Sequence, residues 1–208
     1  MMKRSSLMAA AAVLAGIAAP TVAEARVVDL RLAGTAGGLI GWGTTQNTPD
    51  FFEQTRGPGF GFELGAKLLV FDFSVNFLQI VKNGELAGTL IQGLFGTEID
   101  IPVGPYKLDN GQGQSAQILH TGIVAGVALG TGAPVSLPIM NDQLADKGFV
   151  SRFRFAYEFF LNPFMGVGGQ LDFGWHYFLG GQAVNNTADH SSGYHGSLLA
   201  TFTFHLGY

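Results

Sequence analysis

The chain lacks cysteine, and it has few charged residues for its length. The absence of cysteine excludes disulfides, thiolate zinc sites and a lipid-modified cysteine anchor. Only 12% of the 208 residues are charged, whereas a typical soluble domain has about 25%. The few basic residues are scattered and the formal net charge is −4, so the clustered basic surface of a nucleic-acid-binding protein is missing. We therefore expect no nucleic-acid partner, and no pattern predicts a bound metal or cofactor.

Long apolar runs are also missing, although hydrophobic residues make up 47% of the chain. Beyond the extreme N-terminus, no run approaches the roughly 20 residues that a membrane-spanning helix needs. Glycine (31 residues) and phenylalanine (18 residues) are abundant instead. Many aromatics and glycines with few charges are typical of short strands joined by turns.

The N-terminus has the features of a cleavable export signal. Lys3 and Arg4 precede an apolar stretch at 7–19, and Ala23-Glu24-Ala25 fits the small-x-small cleavage pattern. An uncleaved anchor is the alternative, but the apolar stretch is shorter than a membrane span. The sequence predicts a signal peptide at 1–25 and one mature domain at 26–208.

The mature chain alternates apolar and polar residues with a period of two, which predicts β-strands. In the last segment, Phe202, Phe204 and Leu206 share one face, and Thr203 and His205 lie on the other. The predicted strands are 27–42, 59–68, 71–77, 88–101, 117–129, 149–161, 167–179 and 196–208. The predicted outer loops are 44–58, 82–87, 131–148 and 180–195, and the inner turns lie near 69, at 103–113 and at 162–163.

The sixth segment distinguishes a membrane barrel from a soluble one. It places a wall of aromatics that includes Phe153 and Phe155 opposite Arg152, Arg154 and Glu158. In a membrane barrel the aromatics face lipid and the charges face a polar lumen. An even number of strands also puts both termini on the periplasmic side. The predicted fold is an all-β, eight-stranded, antiparallel up-and-down transmembrane β-barrel.

This pattern resembles the small outer-membrane β-barrels of Gram-negative bacteria. The resemblance implies an outer-membrane location, contact with outer-membrane lipid, and recognition of the last strand by the barrel-assembly machinery. Phe204, Leu206 and Tyr208 occupy the positions of that assembly signal. Interfacial aromatics are expected at both rims of such a barrel, and the predicted aromatic girdle contains Trp42, Tyr157, Trp175 and Tyr177.

The lumen of an eight-stranded barrel is just wide enough to fill with side chains. Alternation predicts four bases and seven acids on its wall, and we expect most of them to form ion pairs. His176 and His205 are expected to line the same lumen as hydrogen-bonded residues, or as part of a pH-sensitive gate beside Asp172 or Glu158. The charged set is Asp29, Arg31, Glu63, Lys67, Asp72, Glu98, Asp100, Arg152, Arg154, Glu158 and Asp172.

One outer-loop stretch, 189–195, brings an acid, bases and hydroxyls close together in sequence. The stretch contains no Gly-x-Ser-x-Gly nucleophile elbow, which argues against catalysis there. Metal binding by Asp189, His190 and His195 lacks the helical frame of a His-Glu-x-x-His site. A polar loop explains the same residues, so no catalytic residue is assigned.

Three functional hypotheses follow from this interpretation. The first is a non-enzymatic outer-membrane barrel whose outer loops serve envelope integrity or surface interaction. The second is a narrow conduit for small or hydrophobic solutes. The third is an outer-membrane lipid hydrolase or acyltransferase. A secreted soluble barrel of the lipocalin type is the rival at the level of fold.

Overall fold

The structure is a computed structural model, and it describes residues 28–45, 56–107, 115–131, 146–179 and 190–207. The predicted signal peptide at 1–25, Asp189 of the outer loop and Tyr208 of the predicted assembly signal lie outside these ranges. No helix that could cross a membrane occurs among the residues described.

The described chain forms eight antiparallel strands that close into a barrel in sequence order. Each strand pairs with the next, and β1 pairs with β8 from Asp29↔Gly207 to Thr45↔Ser191. The predicted fold class is therefore confirmed. The strands are β1 (Val28–Thr45), β2 (Gly57–Leu68), β3 (Phe71–Lys82), β4 (Glu85–Pro102), β5 (Gln117–Thr131), β6 (Asp146–Asn162), β7 (Met165–Leu179) and β8 (His190–Gly207).

The two ends of the barrel differ in their connections. The start of β1 and the end of β8 lie at one end, together with the connections 69–70, 103–116 and 163–164. We call this the periplasmic end, because outer-membrane barrels carry short turns there and longer loops on the outside. The outer end carries the connections 46–56, 83–84, 132–145 and 180–189.

Side chains alternate strictly between the lumen and the outer surface along most strands. On β6, Arg152 and Arg154 are buried, whereas Phe153 and Phe155 are 42% and 45% exposed. An antiparallel strand points successive side chains to opposite faces, and a closed barrel turns one face inward. The outer surface is a broad apolar band that includes Leu30, Leu32, Phe60, Phe62, Leu64, Phe73, Val75, Phe95, Ile123, Val127, Leu171, Phe173, Leu198 and Phe202.

The outer half of the lumen contains a compact apolar cluster. Leu90 and Leu94 of β4 pack with Val124 and Ala128 of β5 and with Val150 of β6. All five are buried, with exposures of 6% or less. The periplasmic half is polar instead, and near its end the ring of Phe160 packs on His205 with 4.9 Å between ring centroids. The lumen therefore has two chemically different halves.

The last strand is longer than its sequence pattern predicts. It begins at His190, not at residue 196, and the predicted outer loop 180–195 is wrong from residue 190 onward. β7 and β8 remain paired from Met165↔Phe204 to Leu179↔His190. Beyond the membrane, the outer face of a strand contacts water and need not be apolar. The serine- and glycine-rich start of β8 therefore resembles a loop in sequence.

Other predicted boundaries also need correction. The expected loop at 82–87 is a two-residue turn, in which Asn83 and Gly84 have φ values of 56° and 83°. Positive φ at both central residues is the geometry of a type I′ hairpin turn, which Asn-Gly favours. β3 consequently continues beyond residue 77 to Lys82. The inner connection at 103–116 is longer than predicted, and an antiparallel bridge joins Lys107 to Ser115 within it.

Candidate functional site in the polar lumen

The structure places every residue of the predicted polar set on the wall of the lumen. All are buried except Arg31 and Asp100, whose side chains are 10% and 18% exposed. The charged members form interlocking ion pairs, and each of the eight strands contributes at least one of them. We call this connected set the charged network. Its members are Asp29, Arg31, Glu63, Lys67, Asp72, Glu98, Asp100, His120, Arg152, Arg154, Glu158, Asp172 and His205.

The Arg154–Glu63 pair joins opposite walls of the barrel. Arg154 Nη1 donates to Glu63 Oε1 at 3.0 Å, and Nη2 donates to Oε2 at 2.7 Å. These residues belong to β6 and β2, which are not neighbours in the sheet. A bidentate arginine–carboxylate pair fixes both distance and orientation, so it spans the lumen as a rigid crosslink.

Arg31 on β1 gathers carboxylates from three further strands. Its Nη2 lies 3.0 Å from Glu63 Oε1 and 2.8 Å from Asp72 Oδ1. Its Nη1 lies 3.0 Å from Glu98 Oε1. A guanidinium has five N–H donors in a fixed plane, which allows one arginine to serve several acids at once. Arg154 lies within 3.9 Å of the same three acids and of Asp172, so the two arginines share the centre of the network.

Lys67 lies between two acids of β4. Its ammonium contacts Asp100 Oδ1 and lies 3.5 Å from Glu98 Oε1. Ligand atoms of Glu98, Asp100 and His120 all lie within 4.8 Å of one another, a spacing that suits a metal ion. Because the Lys67 ammonium already neutralises both carboxylates, this position has its own cation and we assign no metal to it.

Two histidines link three carboxylates into a chain across the periplasmic half. His205 Nδ1 lies 2.7 Å from Asp29 Oδ2, and its Nε2 lies 3.0 Å from Glu158 Oε1. His120 Nε2 lies 3.1 Å from Glu158 Oε2, and its Nδ1 lies 2.8 Å from Asp100 Oδ1. The order is therefore carboxylate, imidazole, carboxylate, imidazole, carboxylate.

This row of carboxylates and imidazoles reduces the excess of acids over bases in the lumen. A carboxylate accepts hydrogen bonds and does not donate them, so a ring nitrogen that faces one must carry a proton. Both nitrogens of His120 and of His205 face carboxylates, which is the arrangement that an imidazolium satisfies. With both rings charged, six positive groups oppose seven acids. Buried carboxylates are stable only when paired.

A second group of contacts surrounds Asp172 on β7. Arg152 Nη1 lies 3.3 Å from Asp172 Oδ2, and the Gln170 amide donates to the same oxygen at 2.7 Å. Ser197 Oγ lies 3.4 Å from it. The Asn76 amide, oriented to satisfy both neighbours, donates to Glu63 and accepts from Arg152 Nη2 at 2.8 Å. The Asn76 amide thereby joins the Asp172 group to Glu63 in the rest of the charged network.

Sequence reasoning missed several interior residues. His120 belongs to the network, yet the predicted set omitted it although it lies on the polar face of its segment. Asn76, Gln92 and Gln170 also lie on the polar faces of their segments, but the predicted set took in only charged residues and two histidines. His195 was predicted to be part of an outer loop, but it is 8% exposed and lies in the lumen beside His176.

Little space remains between these side chains. The network encloses a cavity of about 40 Å³, lined among others by Arg31, Glu63, Lys67, Glu158 and His205. One water molecule needs about 10–15 Å³ on this measure, so about three waters fit. This volume is far below the 300–1,000 Å³ of a typical ligand pocket.

The predicted girdle and assembly residues lie on the outer surface. Trp42, Tyr157 and Trp175 are 41%, 44% and 37% exposed, and Tyr177 stacks on Trp175 with 5.8 Å between ring centroids. Trp175 Nε1 donates to Ser192 Oγ at 2.8 Å. Tyr194, which sequence reasoning left in a loop, stacks on Phe173 in the same belt.

On the last strand, Phe204 and Leu206 are 45% and 67% exposed, as an outward-facing signal would be. Tyr208 lies outside the described residues. Their role in assembly stays a prediction.

The catalytic alternative at 189–195 finds little support in the geometry. His195 faces the lumen, whereas the adjacent Tyr194 is 46% exposed on the outer surface. Consecutive strand residues point to opposite faces, so this stretch does not present one continuous surface. Asp189 lies outside the described residues.

Taken together, a closed barrel of eight strands, an apolar outer band and a polar lumen define an integral outer-membrane β-barrel. Comparison with solved structures agrees with this class. The chain is similar to Neisserial surface protein A (NspA), with a TM-score of 0.51 and 10% identity over 84% of this chain and 96% of that one. At this identity the likeness shows the fold alone.

A weaker likeness links the chain to the outer membrane protein OprG from Pseudomonas aeruginosa. The TM-score is 0.40, with 6% identity over 89% of this chain and 99% of that one. No protein-family model matches the chain. A comparison with curated protein sequences gives no match.

Proposed function

We propose that this protein is a non-enzymatic outer-membrane barrel with a closed lumen, and that its outer loops serve envelope integrity or surface interaction. One observation carries the proposal: in the described part of the chain, the charged network joins all eight strands and surrounds a cavity of about 40 Å³. A periplasmic half filled in this way supports the wall and leaves no room for a substrate or a solute.

A permanent solute path through the lumen would have to break crosslinks between opposite walls. The Arg154–Glu63 pair is buried on both sides, with side-chain exposures of 3% and 4%. Separating such a pair without replacing its partners costs about 3–5 kcal/mol. The outer half is obstructed as well, because Gln92 Nε2 on β4 lies 2.8 Å from His176 Nε2 on β7. This arrangement favours a plugged barrel over a conduit.

The route to the membrane is part of the same proposal. We include export through the signal at 1–25, insertion by the barrel-assembly machinery and contact with outer-membrane lipid. The broad apolar belt on the outer surface supports this route. Phe204 and Leu206 present two apolar side chains on the outer face of the closing strand. The oligomeric state is left open by this proposal.

Planar-bilayer conductance of the refolded protein tests the closed lumen. We expect no steady conductance from the native chain. The double variant Glu63→Ala/Arg154→Ala removes the crosslink and both side chains, and it should produce small, fluctuating currents if it remains folded. Steady conductance of the native chain would support the conduit and contradict the proposal.

The enzymatic alternative is tested separately. Cells that overproduce the native chain, His195→Ala or His176→Ala should have the same lipid A and phospholipid profiles. A change in either profile that requires one of these histidines would establish a lipid-modifying enzyme instead. Heat-modifiable migration in the outer-membrane fraction checks folding and location in the same cells, and a soluble periplasmic protein would contradict the membrane barrel.

A further inference from the structure

Two histidines form a separate pair in the outer half of the lumen. His176 on β7 and His195 on β8 have ring centroids 4.3 Å apart, and the ring planes meet at 54°. Their residues are 1% and 8% exposed. The pair therefore needs its own explanation.

Strand register and two glycines place the rings side by side. In the β7–β8 ladder, His176 pairs with Gly193 and His195 pairs with Gly174. Each histidine thus lies opposite a residue without a side chain. A Cβ atom at Gly174 would lie 2.3 Å from His195 Cε1, so alanine there would collide with the ring. The two glycines leave the space that brings the imidazoles together.

The His195 ring has unused hydrogen-bonding capacity. Both of its nitrogens are buried, and neither has a hydrogen-bond partner among the residues described. A buried polar group without a partner costs about 1–3 kcal/mol. The unprotonated nitrogen of this ring has an electron pair that it can offer to a ligand.

A third potential ligand comes from the opposite side of the lumen. Gln92 Nε2 on β4 lies 2.8 Å from His176 Nε2. The two ends of an amide are nearly indistinguishable in shape, and a rotation about the last bond would present the Gln92 carbonyl oxygen to the same place. The amide oxygen would then lie beside the His176 ring, which itself packs against the His195 ring.

The charged groups nearest to this pair are an arginine and its carboxylate partner. Arg152 pairs with Gly174 in the ladder, and its positive charge acts on both rings. Its guanidinium lies 3.3 Å from Asp172 Oδ2 and interacts with the Asn76 amide, so Asp172 offsets part of that charge. Imidazole nitrogens select zinc, copper and nickel over the hard ions magnesium and calcium.

We propose that His176 and His195, assisted by Gln92, form a binding site for one divalent first-row transition-metal ion near the outer mouth of the barrel. Metal–nitrogen bonds of about 2.0–2.1 Å require only small rotations of two rings that already touch. The site goes beyond the proposed structural role, since a plug needs ion pairs but no metal ligands.

Titration of Cu²⁺, Ni²⁺ and Zn²⁺ into the refolded full mature chain in detergent tests the site. We expect one ion per chain, with binding weakened at least about tenfold in His176→Ala and in His195→Ala. His190→Ala is the matched control, because it removes a histidine of the same strand, five positions from His195. Migration before and after heating verifies that each variant is folded.

A second measurement keeps the test decisive if a variant fails to fold. The electron paramagnetic resonance spectrum of the native chain with one equivalent of Cu²⁺ should show coupling to two imidazole nitrogens. No binding at millimolar metal, coupling to a single nitrogen, or binding lost in His190→Ala but kept in His195→Ala would each overturn the proposal. The last outcome would place the ion in the outer loop.

Discussion

The two halves of the lumen fill the same cylinder with opposite chemistry. In the outer half, Leu90, Leu94 and Val124 pack as in an ordinary hydrophobic core. In the periplasmic half, Arg31 alone contacts three carboxylates from three strands. Apolar packing is non-directional, so its members can be changed almost independently. A buried ion network is directional, and removing one member leaves charges without partners.

The two halves also differ in how strongly they specify one register of the strands. An apolar cluster tolerates changes of its members, provided that its volume is conserved. The charged network is less tolerant, since a shift of one strand by one residue would turn the charges of that strand toward lipid. We infer that the periplasmic half fixes the register of the eight strands, and that the outer half adds stability.

The largest expected effect comes from breaking the crosslink between opposite walls. Arg154→Met removes the bidentate partner of Glu63 and leaves a buried carboxylate, which should lower the free energy of unfolding by about 3–5 kcal/mol. Urea titration of the chain refolded in lipid vesicles, followed by tryptophan fluorescence, measures the loss. Lys82→Met, at an exposed residue of a tight turn, should change it by less than about 0.5 kcal/mol.

Coupling within the network sharpens the same experiment. The double variant Glu63→Gln/Arg154→Met should lose less than the sum of the two single variants, by about 1–3 kcal/mol, because each single variant deprives the other residue of its bidentate partner. Strict additivity would show that Glu63 and Arg154 contribute independently to stability. It would contradict the idea that the charged half is coupled and the apolar half is not.

An intermediate effect is expected from the apolar half. Leu94 is 5% exposed, and Leu94→Ala should cost about 2–3 kcal/mol through lost burial and the cavity that remains. If the halves act independently, combining it with Arg154→Met should add the two losses to within about 0.5 kcal/mol. The same urea titration applies. A strong deviation from additivity would mean that the halves form one cooperative core.

A smaller effect should follow from crowding one acid of the network. A Cβ at Gly166 would lie 2.1 Å from Glu158 Oε1 and 2.6 Å from its Cδ, so Gly166→Ala must push Glu158 away from His120 and His205. We expect a loss of about 1–3 kcal/mol. At Gly38 a Cβ meets nothing within 4 Å, and Gly38→Ala should be neutral or slightly stabilising. Equal effects at both glycines would be evidence against the close fit around Glu158.

The smallest effect is expected at Ser74, which is polar and buried but does not join the network. Its hydroxyl has no hydrogen-bond partner in the described part of the chain. Ser74→Ala removes an unsatisfied group, so the free energy of unfolding should stay unchanged or rise by less than about 1 kcal/mol. A clear loss of stability would reveal a bound water or an unrecognised contact at this position.

The sequence predicted which residues face the lumen better than it predicted what they contact there. Alternation alone placed Asp72, Arg152 and Asp172 inside, since a strand at a lipid boundary admits only two orientations. Their partners depend on the tilt of the strands, which joins Arg154 to Glu63 across 91 positions of the chain. No local pattern carries that information.

Strand ends were the weakest part of the sequence interpretation, and for a physical reason. The lipid boundary enforces alternation only within the membrane, so the start of β8 at 190–195 contains serine, glycine and histidine like a loop. The pairing of His195 with Gly174 was therefore invisible. A search for glycines in register with interior histidines could have found it.

The contact between Asp29 and His205 joins residues 176 positions apart, at the two ends of the barrel chain. It can form only when β1 pairs with β8, the pairing that closes the barrel. Until then the chain of histidines and carboxylates lacks its first link, and its charges stay accessible to water. Closure of the wall and drying of the periplasmic half are therefore coupled.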